Sequence, residues 1–221
     1  EWIYKFKGKL LFEIMKKDIL EKENAINKDC STKIINFRTD EGFPQEYNNA
    51  VDLVITSPPY GDSATTVAYE QFSRFANEWL EIEKPEKLHK KMLGGKTIKE
   101  EIAFEIPELD NAISKISSVK RRHEVITFYR DYKKSISNIG KTLKRGGIVC
   151  FVVANRTVGG VILPTDLATI KMFEENEFEL IDKFERNINR KRMPLKNSPT
   201  NQKGKKQETM LKEHIIIMQK N

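Results

Sequence analysis

The sequence predicts an α/β fold with a mostly parallel sheet and an antiparallel edge hairpin, and three observations carry that reading. Two short apolar runs, "VDLVI" at Val51–Ile55 and "IVCFVVA" at Ile148–Ala154, lack the polar alternation of a half-exposed strand, as strands buried on both faces do. Helical periodicity lies between and after them. The chain then closes on two β-like segments, "FELIDKFERNI" at Phe178–Ile188 and "EHIIIMQK" at Glu213–Lys220, with no helix between.

Taken in order, the first pattern runs from Lys5 to Glu23, where Leu11, Ile14, Met15 and Ile19 share one helical face opposite Lys and Glu. "NAIN" (Asn24–Asn27) follows as a short strand, ending at "KDC". Ser31 is placed to cap a helix carrying Ile34, Ile35 and Phe37. A polar loop, "TDEGFPQEYNNA", leads into the Val51–Ile55 strand. Beyond Tyr60, aromatic residues Tyr69, Phe72, Phe75 and Trp79 recur at helical intervals. Residues 81–122 are highly charged, contain Gly94-Gly95 and lack sustained periodicity, so they read as a small, mobile helical insertion.

The clearest helix is Val125–Leu143, with Val125, Phe128, Tyr132, Ile136, Ile139 and Leu143 spaced by three and four. "KRGG" ends it, with Gly146 as the expected left-handed cap. "PTD" then opens a helix over Leu167–Glu175, with Thr165 as its cap.

Composition narrows the partners. Lys and Arg number 39 against 32 Asp and Glu, a net charge of +7, which favours a polyanion. The two cysteines, Cys30 and Cys150, and the three histidines form no metal-like spacing, so no metal is expected. Reduced cysteines, no signal peptide and no run of membrane-spanning length point to the cytoplasm.

The motif that carries chemistry is "TSPPY", Thr56–Tyr60. A strand cannot continue through Pro-Pro, because neither ring nitrogen has a hydrogen for the ladder. At the carboxyl end of a buried strand, the loop stands where open α/β sheets bind ligands. Pro58 and Pro59 stiffen it and leave only carbonyl acceptors there. Ser57 Oγ and the Pro58 carbonyl can receive the two hydrogens of an amino group on a flat heterocycle, while Tyr60 stacks on its ring. Acceptors aimed at those hydrogens favour a pyramidal nitrogen, whose lone pair is freed to attack an electrophilic methyl group.

On these residues the chain resembles the amino-methylating DNA methyltransferases, whose motif is (Ser/Asp/Asn)-Pro-Pro-(Tyr/Phe/Trp). The resemblance implies a Rossmann-like methyltransferase sheet over 1–221, S-adenosylmethionine as cofactor, and double-stranded DNA as substrate. It implies that Ser57, Pro58, Pro59 and Tyr60 hold and stack a flipped base, which is how enzymes reach a base inside a duplex. The Ser-Pro-Pro-Tyr form is similar to that of the N4-cytosine enzymes of restriction–modification systems, with N6-adenine as the alternative. Related Asn-Pro-Pro-Tyr motifs act on RNA bases or protein glutamine, and Ser57 argues against those. "NKDC" resembles the acidic strand end facing the cofactor's adenosine, with Asp29 at the matching position and Lys28 replacing a family glycine. "LKRGGIVCFVVANR" resembles the helix–turn–strand that follows, placing Asn155 and Arg156 at the sheet edge of Ser57.

Two further features complete the expectation. The loop 183–206 holds nine Lys or Arg against the single acid Glu185, so Arg190, Lys191 and Arg192 are expected to neutralise DNA phosphates. Asn197, Thr200 and Asn201 are candidates to reach base edges. Among eleven glycines there is no Gly-x-Gly, whereas the family holds the methionine part of its cofactor with Phe-x-Gly-x-Gly. The cofactor half is therefore expected to be incomplete, supplied by a missing segment or a second subunit. A non-catalytic DNA-binding subunit is the alternative from another class.

Overall fold

The computed structural model describes residues 31, 33–35, 37–61, 69–81, 85–187, 196–197, 207–208 and 212–221. The chain divides into two compact units, Glu1–Asn36 and Phe37–Asn221. Of the first unit, Ser31 and residues 33–35 are described, and they form neither helix nor strand. The helix expected from Ser31 is thus not formed at those positions. Ile34 is almost wholly exposed, and a short helix without a buried apolar face has little to hold it. The expected elements over 5–27 lie outside the described residues.

In the second unit, a 3-10 turn at Gln45–Tyr47 precedes strand β1 (Val51–Thr56). Helix α1 (Tyr69–Trp79) follows the motif loop, then a 3-10 turn at Pro85–Lys91 and helix α2 (Pro107–Ser114). Helix α3 (Val119–Thr142) leads directly into strand β2 (Leu143–Val153). A two-residue hairpin, β3 (Thr157–Val158) and β4 (Val161–Ile162), precedes helix α4 (Thr165–Glu174). The chain ends with β5 (Phe178–Asn187), the short pair β6 (Lys196–Asn197) and β7 (Gln207–Glu208), and β8 (Lys212–Lys220).

The main sheet has the order β1-β2-β8-β5. Its first pairing, β1 with β2, is parallel, and β8 then pairs antiparallel with both β2 and β5. An α/β sheet with a parallel start and a closing antiparallel hairpin is the architecture the sequence indicates. Among the described strands, β1 and β5 are the edges.

One face of this sheet is covered. Val149, Phe151 and Val153 of β2, with Ile216 and Met218 of β8, pack beneath α3 and α4 in a core that includes Phe128, Tyr129, Tyr132 and Phe173. Phe173 meets Phe151 and Phe178 edge to face, with ring centroids 4.9 and 5.1 Å apart. Burial of each such ring contributes about 1.5–3 kcal/mol. The phenols of Tyr129 and Tyr132 each bond a threonine of α4, Thr165 and Thr169, at 2.8 Å, so no polar atom of these rings is stranded. Burial pushes the Tyr129 phenol up to about 12.

Residues 104–116 belong to this same core. Phe104, Ile106, Leu109, Ile113 and Ile116 are all buried against it. Charged residues dominate the surrounding segment and break the periodicity over a long window, although α2 itself buries Leu109, Ala112 and Ile113.

Three helix boundaries differ from expectation. Ser118 caps α3 by accepting from the Arg121 N–H, so the helix begins six residues before Val125. At its other end α3 passes into β2 at Leu143 without a glycine cap. Lys220 Nζ instead donates to the Gly140 and Leu143 carbonyls at 2.8 and 2.9 Å, meeting the acceptors that a helix C-terminus leaves open. Gly146 does take the left-handed conformation, φ +78, but inside β2, where the β1 register slips between Val51 and Leu53. Thr165 is the first residue of α4 rather than its cap, because its hydroxyl is engaged by Tyr129.

Candidate active site

β1 delivers its carboxyl end beside that of β2, because the two strands pair in parallel through Thr56↔Phe151. Ser57, Pro58, Pro59 and Tyr60 follow at once, outside any regular element. These four residues and Met92 line a cavity of about 370 Å³. Met92 comes from the 85–95 segment, which is held in place where Gly94 N–H donates to Asp131 Oδ2 of α3 at 3.0 Å.

The hydroxyls of the loop are bonded to the sheet. Ser57 Oγ donates to the Val152 carbonyl of β2 at 3.2 Å, and a longer contact of 3.5 Å joins it to Tyr60 Oη. Tyr60 Oη donates to Glu213 Oε1 of β8 at 2.7 Å. Arg186 of β5, which faces Glu213 across the β5–β8 ladder, grips the second carboxylate oxygen through NH2 at 2.5 Å and Nε at 3.1 Å. Partial burial, together with the Glu213 carboxylate, pushes the Tyr60 phenol above its ordinary value, against the opposing bond from Ser57. Desolvation alone would raise Glu213, but its bonds to Arg186 and Tyr60 outweigh that and hold it below the ordinary carboxylate range.

With both hydroxyl protons directed at protein acceptors, Ser57 Oγ keeps lone pairs for a ligand, and neither proline has an N–H to offer. The arrangement favours a ligand that donates hydrogen bonds, such as an aryl amine, over one that only accepts them.

Arg156 and Asn155, expected together at the edge near Ser57, have separate surroundings. The guanidinium of Arg156 is buried directly against Gly61, where a Cβ would come within 2.1 Å of its NH1, and it lies 5.7 Å over the Phe128 ring. Any side chain at position 61 would displace it. Asn155 instead accepts from the Asp166 N–H at 3.0 Å and caps α4 from a distance in sequence. Behind it, Asp166 binds Lys183 Nζ at 2.5 Å and lies 3.7 Å from His214 Nε2.

Asp29, Arg190, Lys191, Arg192, Thr200 and Asn201 lie outside the described residues. The backbone of Asn197 pairs with Gln207 in the small β6–β7 ladder. Among the described residues, no group of three His, Cys, Asp or Glu is placed to hold a metal ion. No described helix is long and apolar enough to cross a membrane. Met92, Glu213 and Arg186 were not singled out from sequence. Only the β-like pattern at both ends of the closing hairpin could have brought the last two together.

No protein-family model matches the chain. It is 41% identical over 213 residues to the Type II methyltransferase M.MvaI of Kocuria varians, covering 90% of this chain and 46% of that protein. The chain therefore spans about half the length of the curated relative. Among solved structures, TTHA0409 of Thermus thermophilus, provisionally described as a DNA modification methylase, aligns over 83% of this chain and 50% of its own, with TM-score 0.39 and 17% identity. Its complex with S-adenosyl-L-methionine aligns with TM-score 0.38 and 14% identity, over 83% and 51% of the two chains. Along nine-tenths of its length, this chain is homologous to somewhat under half of a Type II methyltransferase.

Proposed function

We propose that this chain is the amine-holding part of an S-adenosylmethionine-dependent DNA methyltransferase that modifies the exocyclic amino group of a flipped base, N4 of cytosine in first place. The observation that carries the reading is the cavity at the end of β1, lined by a rigid Ser-Pro-Pro-Tyr loop whose hydroxyl protons are taken by protein acceptors. The similarity to a Type II methyltransferase supports it independently.

In this reading Ser57 Oγ and the Pro58 carbonyl accept the amine hydrogens, Pro59 holds the loop, and the Tyr60 ring stacks on the base. S-adenosylmethionine supplies the electrophilic methyl group when bound. The described residues offer no glycine-rich turn to hold it, and Asp29 lies outside them, so its site is incomplete here. We assign its completion to a polypeptide segment carrying that turn. Among the described strands β1 is an edge, and Leu53, Ile55 and Ile148 are exposed beside it, so this is where such a segment would add.

Arg190, Lys191 and Arg192 contact DNA phosphates, and Asn197 reaches toward base edges. Replacing the three cations by alanine should weaken duplex binding and flatten its salt slope by about 0.9 for each phosphate no longer neutralised. Unchanged affinity in that variant removes the loop from the interface. The enzyme acts in the cytoplasm within a restriction–modification system.

The deciding experiment is methylation of duplex DNA by the full-length protein, followed by nucleoside mass spectrometry. N4-methylcytosine is expected; N6-methyladenine would replace the base assignment. No methylated nucleoside would favour the second reading, a DNA-binding subunit without catalysis, for which the absent Gly-x-Gly is the supporting observation.

A further inference from the structure

We infer that Glu213, braced by Arg186, is a positioning residue that fixes the Tyr60 ring lining the cavity and holds its hydroxyl proton on a protein acceptor. This inference rests on the methyltransferase reading for its consequence, but its geometry stands by itself.

An isolated surface ion pair would be the plain explanation of Glu213 and Arg186, since cross-strand pairs of that kind are common and weak. Two observations separate this pair from that case. The Glu213 side chain is only 14% exposed although its partner is 61% exposed. It also divides its two oxygens: Oε2 takes the guanidinium, and Oε1 takes the phenol proton of a residue 153 positions away. A carboxylate only accepts, so the direction of the Tyr60 proton is settled by its partner. Were the phenol unanchored, its hydroxyl could turn to donate toward Ser57 or into the cavity. The Ser57 lone pairs would then be occupied, and a donor would face the incoming amine. Arg186 keeps the carboxylate charged and oriented, so the three residues act in one direction, from β5 through β8 to the motif loop.

The consequence differs from that of a group touching the ring nitrogen. Loss of Glu213 should leave Ser57 and the Pro-Pro backbone in place but free the Tyr60 ring. Methyl transfer should then slow by about tenfold to 10²-fold, as small misplacements of positioned groups do, with the KM for S-adenosylmethionine unchanged. Glu213→Gln retains an oxygen acceptor for the phenol and should recover most of the rate.

Two measurements test this. The first needs no substrate: the Tyr60 phenol is titrated by ultraviolet difference between the wild-type chain and Tyr60→Phe, then again in a Glu213→Ala background. Removal of the carboxylate should bring the titration down toward its ordinary value; an unmoved titration overturns the contact and the proposal. The second is single-turnover transfer of tritiated methyl groups from S-adenosylmethionine to bacteriophage duplex DNA by the full-length protein. If Glu213 acts through the phenol, Tyr60→Phe and Glu213→Ala should each slow transfer, and the double variant should be no slower than the worse single one. Additive losses, or a Glu213→Ala enzyme as fast as wild type, overturn the role. A wild-type protein that transfers no methyl at all overturns the functional reading, and the positioning role falls with it, whatever the titration shows.

Discussion

Glu213 and His214 are neighbours in β8, yet they serve opposite faces of the sheet. His214 is 7% exposed and turns to the helical face, among Asp166, Lys183 and Glu185. There Asp166 ties the start of α4 to β5, under a core of packed aromatic rings. Glu213 turns to the other face, where Tyr60 and Arg186 meet it and no described helix covers the sheet. That face exposes Ile55 to 69% and Phe184 to 50%. A one-residue step in a strand thus separates a buried ionic anchor from the carboxylate that organises the cavity. The helical face holds the sheet together, and the other face carries Glu213 with Tyr60 and Arg186 around it.

That contrast can be broken experimentally. The largest effect should come from Phe173→Ala on the covered face, which removes a ring packed between Phe151 and Phe178 and should cost about 3–5 kcal/mol of stability. Urea unfolding checks it; a loss below about 1 kcal/mol would mean that this face is not the core. Next, Ser57→Ala should leave the urea midpoint nearly unmoved but lower methyl transfer by about 10²–10³-fold in the full-length protein, the scale of one lost preorganised hydrogen-bonding group.

A smaller effect belongs to the buried anchor. Asp166→Asn should destabilise by about 1–3 kcal/mol at neutral pH. Desolvation pulls the Asp166 carboxyl up, yet its bonds to Lys183 and Asn155 win and hold it below its ordinary value. The sign follows: its contribution is complete above the unfolded carboxylate range and fades as pH falls through the lower folded value. Melting temperatures from neutral pH into acid should converge for the wild type and the variant; a constant gap would place the cost in packing instead of charge.

On the uncovered face, Ile55→Ser should change the chain's own stability by no more than about 0.5 kcal/mol, as at an ordinary surface position. If the proposed glycine-rich segment adds there, the same change should weaken its association, which co-purification would reveal. Smallest of all is the heat of S-adenosylmethionine binding to these 221 residues, which should show no micromolar affinity by calorimetry. Micromolar binding there would show that these residues make the cofactor site by themselves.

Much of this was legible from local pattern, because its causes are local. Proline has no N–H, so β1 had to stop at Pro58, and the loop after it had to be stiff. The three-and-four spacing of Val125 to Ile139 has one physical outcome, a helix with a buried stripe. A closing pair of β-like segments without a helix between them can return only as an antiparallel ladder. What failed locally also failed for physical reasons. Thr165 looked like a cap until the fold gave its hydroxyl to Tyr129, and Asn155 took over the helix start from eleven positions away.

The sequence by itself determined a stiff loop at the end of β1, since Pro58 and Pro59 follow directly on the apolar run Val51–Ile55. Only the tertiary structure decided that Met92 walls the cavity, that Arg156 fills the space a side chain at Gly61 would need, and that Glu213 with Arg186 anchors Tyr60. Those contacts depend on strand order and register, where a shift of one residue would have sent His214 to the tyrosine and the glutamate to the core.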